Sequence, residues 1–281
     1  MLKLFLLNQK YTSRSHIIFS SFLKYIALSI LLFATAFPQH YILKNNNEVI
    51  HIGSGLGGSA LSLILKHNVS PLSVSEINNL DKNSINAFDR GAISNWSSSA
   101  GTLSNAGLAF TFISPAILML GKAVQDESLT IGTMYFETML YATALNQITK
   151  AIVSRNRPFT YNANAPLGDK QSTDARMSFY SGHTTAAFAS AVFLSTVFCE
   201  IYPSSEWKPA VIGLSIASAA ATGYYRYKAG MHFPSDIIAA AIIGSAIGYI
   251  IPQIHKTDVG ESYSKVVPVS TPVSIGISYS F

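Results

Sequence analysis

The chain has 281 residues, 49% hydrophobic and only 12% charged, with a mean hydropathy of +0.30 and a formal charge of +5. An average soluble domain carries about 25% charged residues, so the composition excludes a disordered protein and argues against an ordinary cytosolic enzyme. It implies one large or two small domains with segments buried on all sides, in a large core or in lipid.

Residues 1–36 hold Lys3, Lys10, Arg14 and Lys24 and no acid; the remainder carries a charge of +1. There is no Lys/Arg stripe that would track a nucleic acid. The apolar stretch Tyr25 to Phe33 is followed by Ala34-Thr35-Ala36, an A-x-A pattern before Phe37-Pro38. Residues 1–36 therefore read as a secretory signal peptide or as an uncleaved membrane helix over about 17–36. Both readings put residue 37 outside the cytoplasm, because the positive flank stays inside. The A-x-A pattern favours cleavage.

Residues 37–106 read as an extension of mixed structure, rich in Asn and Ser. Gly53-Ser54-Gly55-Leu56-Gly57-Gly58 matches G-x-G-x-x-G by letter, after a possible short strand over Val49–Ile52. A dinucleotide site needs alternating strands and helices around that motif. Long apolar segments follow instead, so these glycines point to close helix packing or a flexible lead-in.

From residue 107 five apolar segments follow, at about 107–123, 129–149, 184–201, 209–224 and 236–254. As a helix, 129–149 spans about 31 Å, close to the hydrocarbon thickness of a bilayer. The small residues of Ala239–Gly248 suit close helix approach in lipid. The fold class expected is all-α, a helical bundle over 107–254. The tail, 255–281, differs: Val273, Ile275, Ile277, Tyr279 and Phe281 alternate with Ser274, Gly276, Ser278 and Ser280. A period of two predicts a strand, with residues 40–106 as its expected partner. No run of similar strands precedes it, which argues against a complete barrel. The one cysteine, Cys199, excludes an intrachain disulfide and a cysteine-based metal cage.

Three polar islands terminate the apolar segments. They are Lys150 to Arg157-Pro158, Ser178 to Ser181-Gly182-His183-Thr184, and Arg226 to His232 and Asp236. If the segments are antiparallel helices with short connections, all three islands fall on one face of the bundle. That face gathers three cations, two histidines and a carboxylate. Lys150, Arg157 and Arg226 suit an anion with several oxygens, such as phosphate. Ser181-Gly182-His183 opens a helix, where free N–H groups and the dipole also favour an anion. His232 and Asp236 lie four apart, so Asp236 can orient the imidazole by a hydrogen bond and leave His232 as nucleophile. His183 then serves as acid and base. Spacing alone leaves the reverse assignment of the histidines open.

The pattern K-x6-R-P, then S-G-H, then R-x5-H-x3-D resembles the type 2 phosphatidic acid phosphatase superfamily, which includes bacterial class A acid phosphatases and vanadium haloperoxidases. The resemblance implies a helical bundle and metal-free hydrolysis of phosphomonoesters or pyrophosphates through a phosphohistidine. It implies His232 as nucleophile, Asp236 as its partner and His183 as acid/base. It implies Lys150, Arg157, Ser181, Gly182 and Arg226 as phosphate ligands, with no cofactor and no metal. Two positions depart from the family's usual pattern: Tyr180 stands where Pro is common, and Tyr225 where Ser is common. Arg155, Arg176 and Lys228 read as rim or solvent charges. The expected substrate is a phosphorylated lipid, acted on in a cell membrane at a site facing the periplasm or exterior. The outward orientation holds only if residues 50–66 do not also span. The alternatives are a soluble secreted or outer-membrane-associated acid phosphatase, a haloperoxidase and a non-catalytic membrane scaffold.

Overall fold

The computed structural model describes residues 40–257 and the backbone of residues 267–271 and 274–278. The leader over 1–36 lies outside the described residues. Six long helices build residues 40–257: α1 (Asn45–His67), α2 (Ser98–Ile113), α3 (Ser128–Val153), α4 (Gly182–Ile201), α5 (Lys208–Lys228) and α6 (Pro234–Ile254). The all-α bundle expected from the apolar segments is observed.

Local chemistry sets the helix ends. Ser97 caps α2 and Ser181 caps α4, each accepting from a backbone N–H three residues on. Pro209 and Pro234 occupy first-turn positions of α5 and α6, where a missing N–H costs nothing. α2 is extended by a tighter 3-10 stretch over Ser114–Leu120.

α4 is the central helix, packed most extensively on α6 and α5. A Cβ added at Gly244 would collide with the Thr185 carbonyl, and one at Gly248 with the Ala189 carbonyl. The α4/α6 contact is therefore nearly backbone to backbone, the use expected of these small residues. Phe193, Val197, Ile131, Met134 and Val124 form the main apolar core.

Two expectations about residues 37–106 are corrected. Val49–Ile52 is helical, not a strand, and the glycine run belongs to α1. α1 packs along α3, where a Cβ at Gly55 would strike Leu140 and one at Gly58 would press on Ala144. α1 and the first half of α2 are thus bundle elements rather than a mixed extension. Polar Asn45-Asn46-Asn47 and the glycines mask the helical period, and packing against α3 supplies what propensity does not.

Four helical stretches are long and apolar enough to cross a membrane: Asn46–His67, Ser98–Leu120, Gly182–Ile201 and Pro234–Ile254. Only 11% of the apolar window in the first is buried within the protein. Val49, Leu63 and Ile64 there face outward, as do Phe110 on α2 and Ile242 on α6. An apolar outer surface on long helices is the arrangement that lipid stabilises, and this is a membrane protein.

The additional stretch in α1 changes the count of crossings. His40 lies at one end of the bundle, while α1 delivers Val69 to the other end, against Ala151 and Met177. His40 and the polar islands therefore lie at opposite ends. The expectation that residue 37 and the site share one side of the membrane does not hold with α1 as a span.

The tail forms an antiparallel hairpin of β1 (Val267–Thr271) and β2 (Ser274–Ser278), with Val267 opposite Ser278 and Thr271 opposite Ser274. The predicted strand is present over 274–278, but its partner is the segment just before it, not residues 40–106.

Candidate active site

The end of the bundle reached by α1, α3 and α5 collects the three islands. Backbone bonds knit them together: Arg157 N–H donates to Ala175, Ser178 N–H to Arg155, Phe159 N–H to Gly230 and Ser181 N–H to Asp236. The turn before His232 requires Gly230, whose φ is +73° and where an added Cβ would collide with the Asn95 carbonyl. Lys150, Arg157, Gly182, His183, Arg226 and His232 line one cavity of about 340 Å³, with Asn146 and Asp174 also on its wall.

The three cations are largely desolvated: Lys150 is 7% exposed, Arg157 3% and Arg226 8%. Arg157 is held by Asp174 through both carbonyl and carboxylate, each at 2.8 Å. Arg226 reaches Ser104 on α2 at 3.5 Å. Like charges this close, out of water, create a strong preference for a polyanion. Gly182 leaves room for it: a methyl there would sit 2.9 Å from Asn146 Oδ1 and 3.5 Å from Lys150 Nζ.

His232 is buried, and its Nδ1 donates to the Ser178 carbonyl at 2.8 Å. That bond assigns the proton to Nδ1 and leaves the Nε2 lone pair toward the cavity, 3.5 Å from Arg157. Burial, then the cations of Arg157, Lys150 and Arg226, holds His232 well below the usual imidazole range. His183 is half-buried, with Nε2 2.8 Å from Asn105 Oδ1.

Asp236 departs from its expected contact. Its Oδ2 lies 3.7 Å from His232 Nδ1, too far for a hydrogen bond. Instead it accepts from Ser178 Oγ at 2.6 Å and from the Phe233 N–H at 3.0 Å. The carboxylate thus holds Ser178, whose carbonyl holds His232. Ser181 also differs: its Oγ accepts from Thr184 at the start of α4, and it is not among the residues lining the cavity.

Residues 132–259 match the family model described as the PAP2 superfamily. The matched region holds all three polar islands. A curated relative, an undecaprenyl-diphosphatase from Sulfolobus acidocaldarius, is 28% identical over 155 residues, covering 55% of this chain and 68% of the relative. Among solved structures, a transmembrane PAP2-type phosphatidylglycerolphosphate phosphatase from Bacillus subtilis aligns with a TM-score of 0.45. It is 19% identical and covers 71% of this chain and 94% of its own.

Sequence reasoning missed how this site is supported. Arg155 is not a solvent charge. It donates to Asp236, to Asp89 at 2.8 Å and to Ser235 at 2.9 Å, and its guanidinium lies 4.1 Å above the Phe233 ring. Asp89 accepts from the Ser235 N–H and hydroxyl as well. Burial pushes Asp89 up, but bonds from Ser235 and Arg155 outweigh it and hold the carboxyl below its usual range. Asp174, Asn105 and Asn146 were likewise unmarked, and Ser178 was marked only as the start of its island. Arg176 ties Ser70 and Glu76 at the surface, and Lys228 is exposed beside Tyr224, as rim charges.

Proposed function

We propose that this PAP2 protein is a phosphoric-ester hydrolase. It removes a phosphate or pyrophosphate group from a membrane lipid through a phosphohistidine on His232. The observation that carries the reading is the single cavity lined by two histidines and three buried cations, at one end of lipid-facing helices. Lys150, Arg157 and Arg226 take the phosphate oxygens, with the N–H groups at the start of α4.

In the first step His232 Nε2 attacks phosphorus and the bond to the leaving oxygen breaks. His183 gives that oxygen its proton. In the second step water attacks the phosphohistidine and gives its proton to His183. The N–P bond breaks, inorganic phosphate leaves and His232 is restored. Asp236 acts through Ser178 to keep the imidazole aimed, and its charge favours the proton on Nδ1. The relative named as an undecaprenyl-diphosphatase suggests a lipid pyrophosphate as the first substrate to test.

Orientation follows from parity. A site facing the exterior needs His40 in the cytoplasm; an exported His40 puts the site at the cytoplasmic face. Phosphate release from detergent-solubilised protein, with polyprenyl pyrophosphate, phosphatidate and p-nitrophenyl phosphate as substrates, tests the function. Lipid substrates should be preferred, and His232→Ala should lose at least 1,000-fold, about 4 kcal/mol of barrier. Turnover confined to the soluble ester would refute the lipid reading.

A further inference from the structure

A second cluster of metal-type donors lies away from this cavity. Glu48 and His51 stand one turn apart on α1, Glu137 faces them from α3, and His255 follows the last turn of α6. One donor atom from each lies within 4.8 Å of the other three. Glu137 precedes Lys150 by 13 positions on α3, which is about 20 Å of helix. The cluster is thus separate from the phosphate cavity.

Its hydrogen bonding is incomplete in a way that points to a cation. Glu137 is fully buried, yet neither of its carboxylate oxygens has a hydrogen-bond partner, and buried His51 Nδ1 has none either. His255 Nδ1 donates to the Ile251 carbonyl at 2.8 Å. Its Nε2 therefore carries the lone pair when the ring is neutral, and it lies 3.2 Å from Glu48 and 3.3 Å from Glu137. With the His255 ring neutral, lone pairs on two carboxylates and an imidazole converge where a positive charge belongs; with it protonated, Nε2–H donates to Glu48 at 3.3 Å and both Glu137 oxygens still lack a hydrogen-bond partner. A ring N–H bonded to a main-chain carbonyl is also the usual support for a metal-ligating histidine. The backbone around His255 is fixed, because the Ile42 N–H donates to its carbonyl at 2.9 Å.

We propose that Glu48, His51, Glu137 and His255 bind one first-row transition-metal ion of the zinc type, joining α1, α3 and α6. Two imidazoles and two carboxylates suit zinc, whereas calcium and magnesium prefer all-oxygen sets. The two negative charges balance a divalent ion, which removes the cost of burying them unpaired. Tetrahedral bonds of about 2.0–2.1 Å separate donor atoms by about 3.4 Å. The contacts at 3.2 and 3.3 Å already match; the 3.9 Å gap from His51 Nδ1 to Glu137 must close, and the remaining pairs, all within 4.8 Å, contract toward the same spacing as the ion binds.

The test uses the full chain in detergent, stripped with EDTA and titrated with Zn2+ by equilibrium dialysis. One ion per chain should bind, and the melting temperature should rise by at least 4 °C. Glu137→Gln and His255→Gln should each weaken binding at least 100-fold, while His232→Ala should still take up one ion. Co2+ added to the unaltered protein should give the visible absorption of a four-coordinate site, a readout that needs no variant. Absence of saturable binding by the unaltered protein would overturn the proposal. So would equal binding by both cluster variants, or loss of the ion in His232→Ala, which would place it in the phosphate cavity.

Discussion

Arg155→Ala removes the one guanidinium that joins Asp89 to Asp236. Both carboxylates are nearly inaccessible, at 1% and 0% exposure, while Arg155 is 25% exposed. Removing one partner of a fully buried pair costs about 3–5 kcal/mol. Partial exposure of the arginine and the surviving bonds from Ser235, Ser178 and Phe233 bring the expected loss to about 2–4 kcal/mol. For a protein of this size each kcal/mol moves the melting temperature by about 2–4 °C, so a fall of roughly 10 °C is expected. Activity should fall at least tenfold, because Asp236 steadies Ser178 and Ser178 holds His232. Arg155→Lys keeps the charge but cannot fork between two acids, and should melt between the other two. Thermal unfolding in detergent and kcat for each variant are the measurements. Melting within 2 °C of the unaltered protein, with unchanged kcat, would refute the reasoning.

Gly182→Ala should raise KM more than tenfold with little loss of stability, since its methyl enters the cavity beside Asn146 and Lys150; unchanged KM in phosphate-release assays would count against phosphate binding there. His232 is held below its usual value in the folded protein, so the unfolded chain gains the proton first as pH falls. Its stability contribution is therefore full above about pH 6.5 and is lost below it. Denaturation across pH 4–8 should show a steeper acid-side loss for the unaltered protein than for His232→Asn. Gly248→Leu should cost more than 3 kcal/mol, because its side chain would enter the Ala189 backbone; tolerated substitution would mean that α4 and α6 can separate. Single cysteines at Lys44 and Ser84, which flank α1, in a Cys199→Ser background, should react with a membrane-impermeant thiol reagent from opposite sides. Labelling of both from one side would contradict α1 as a span.

The motif residues were legible because their chemistry is concentrated within a few positions and their order fits alternating helices. Lys150, Arg157, His183, Arg226 and His232 line the cavity for that reason. α1 was not legible, since glycines and three asparagines weaken both its period and its hydropathy. The support of the site was hidden for a different reason. Arg155 meets Asp89 across 66 positions and Asp236 across 81, and no local pattern marks such pairs. Asp236 and Ser181 show the converse: both stand within the motifs, but the turn before α6 and the cap of α4 direct their hydrogen bonds to Ser178, Phe233 and Thr184. The zinc-type cluster combines one visible spacing, Glu48 to His51, with two donors that only the tertiary fold brings near.

The glycine contacts between α4 and α6 also bear on how such a site works in a deformable solvent. His183 opens α4, while His232 and Asp236 stand at the start of α6. The separation of the proposed acid from the proposed nucleophile is therefore gauged by two backbones in direct contact, not by side chains with several rotamers. A change in bilayer thickness that tilts one helix carries the other with it. The reacting pair travels as one body, and adjustment to lipid or to a bulky substrate falls to the elements not locked to it backbone to backbone.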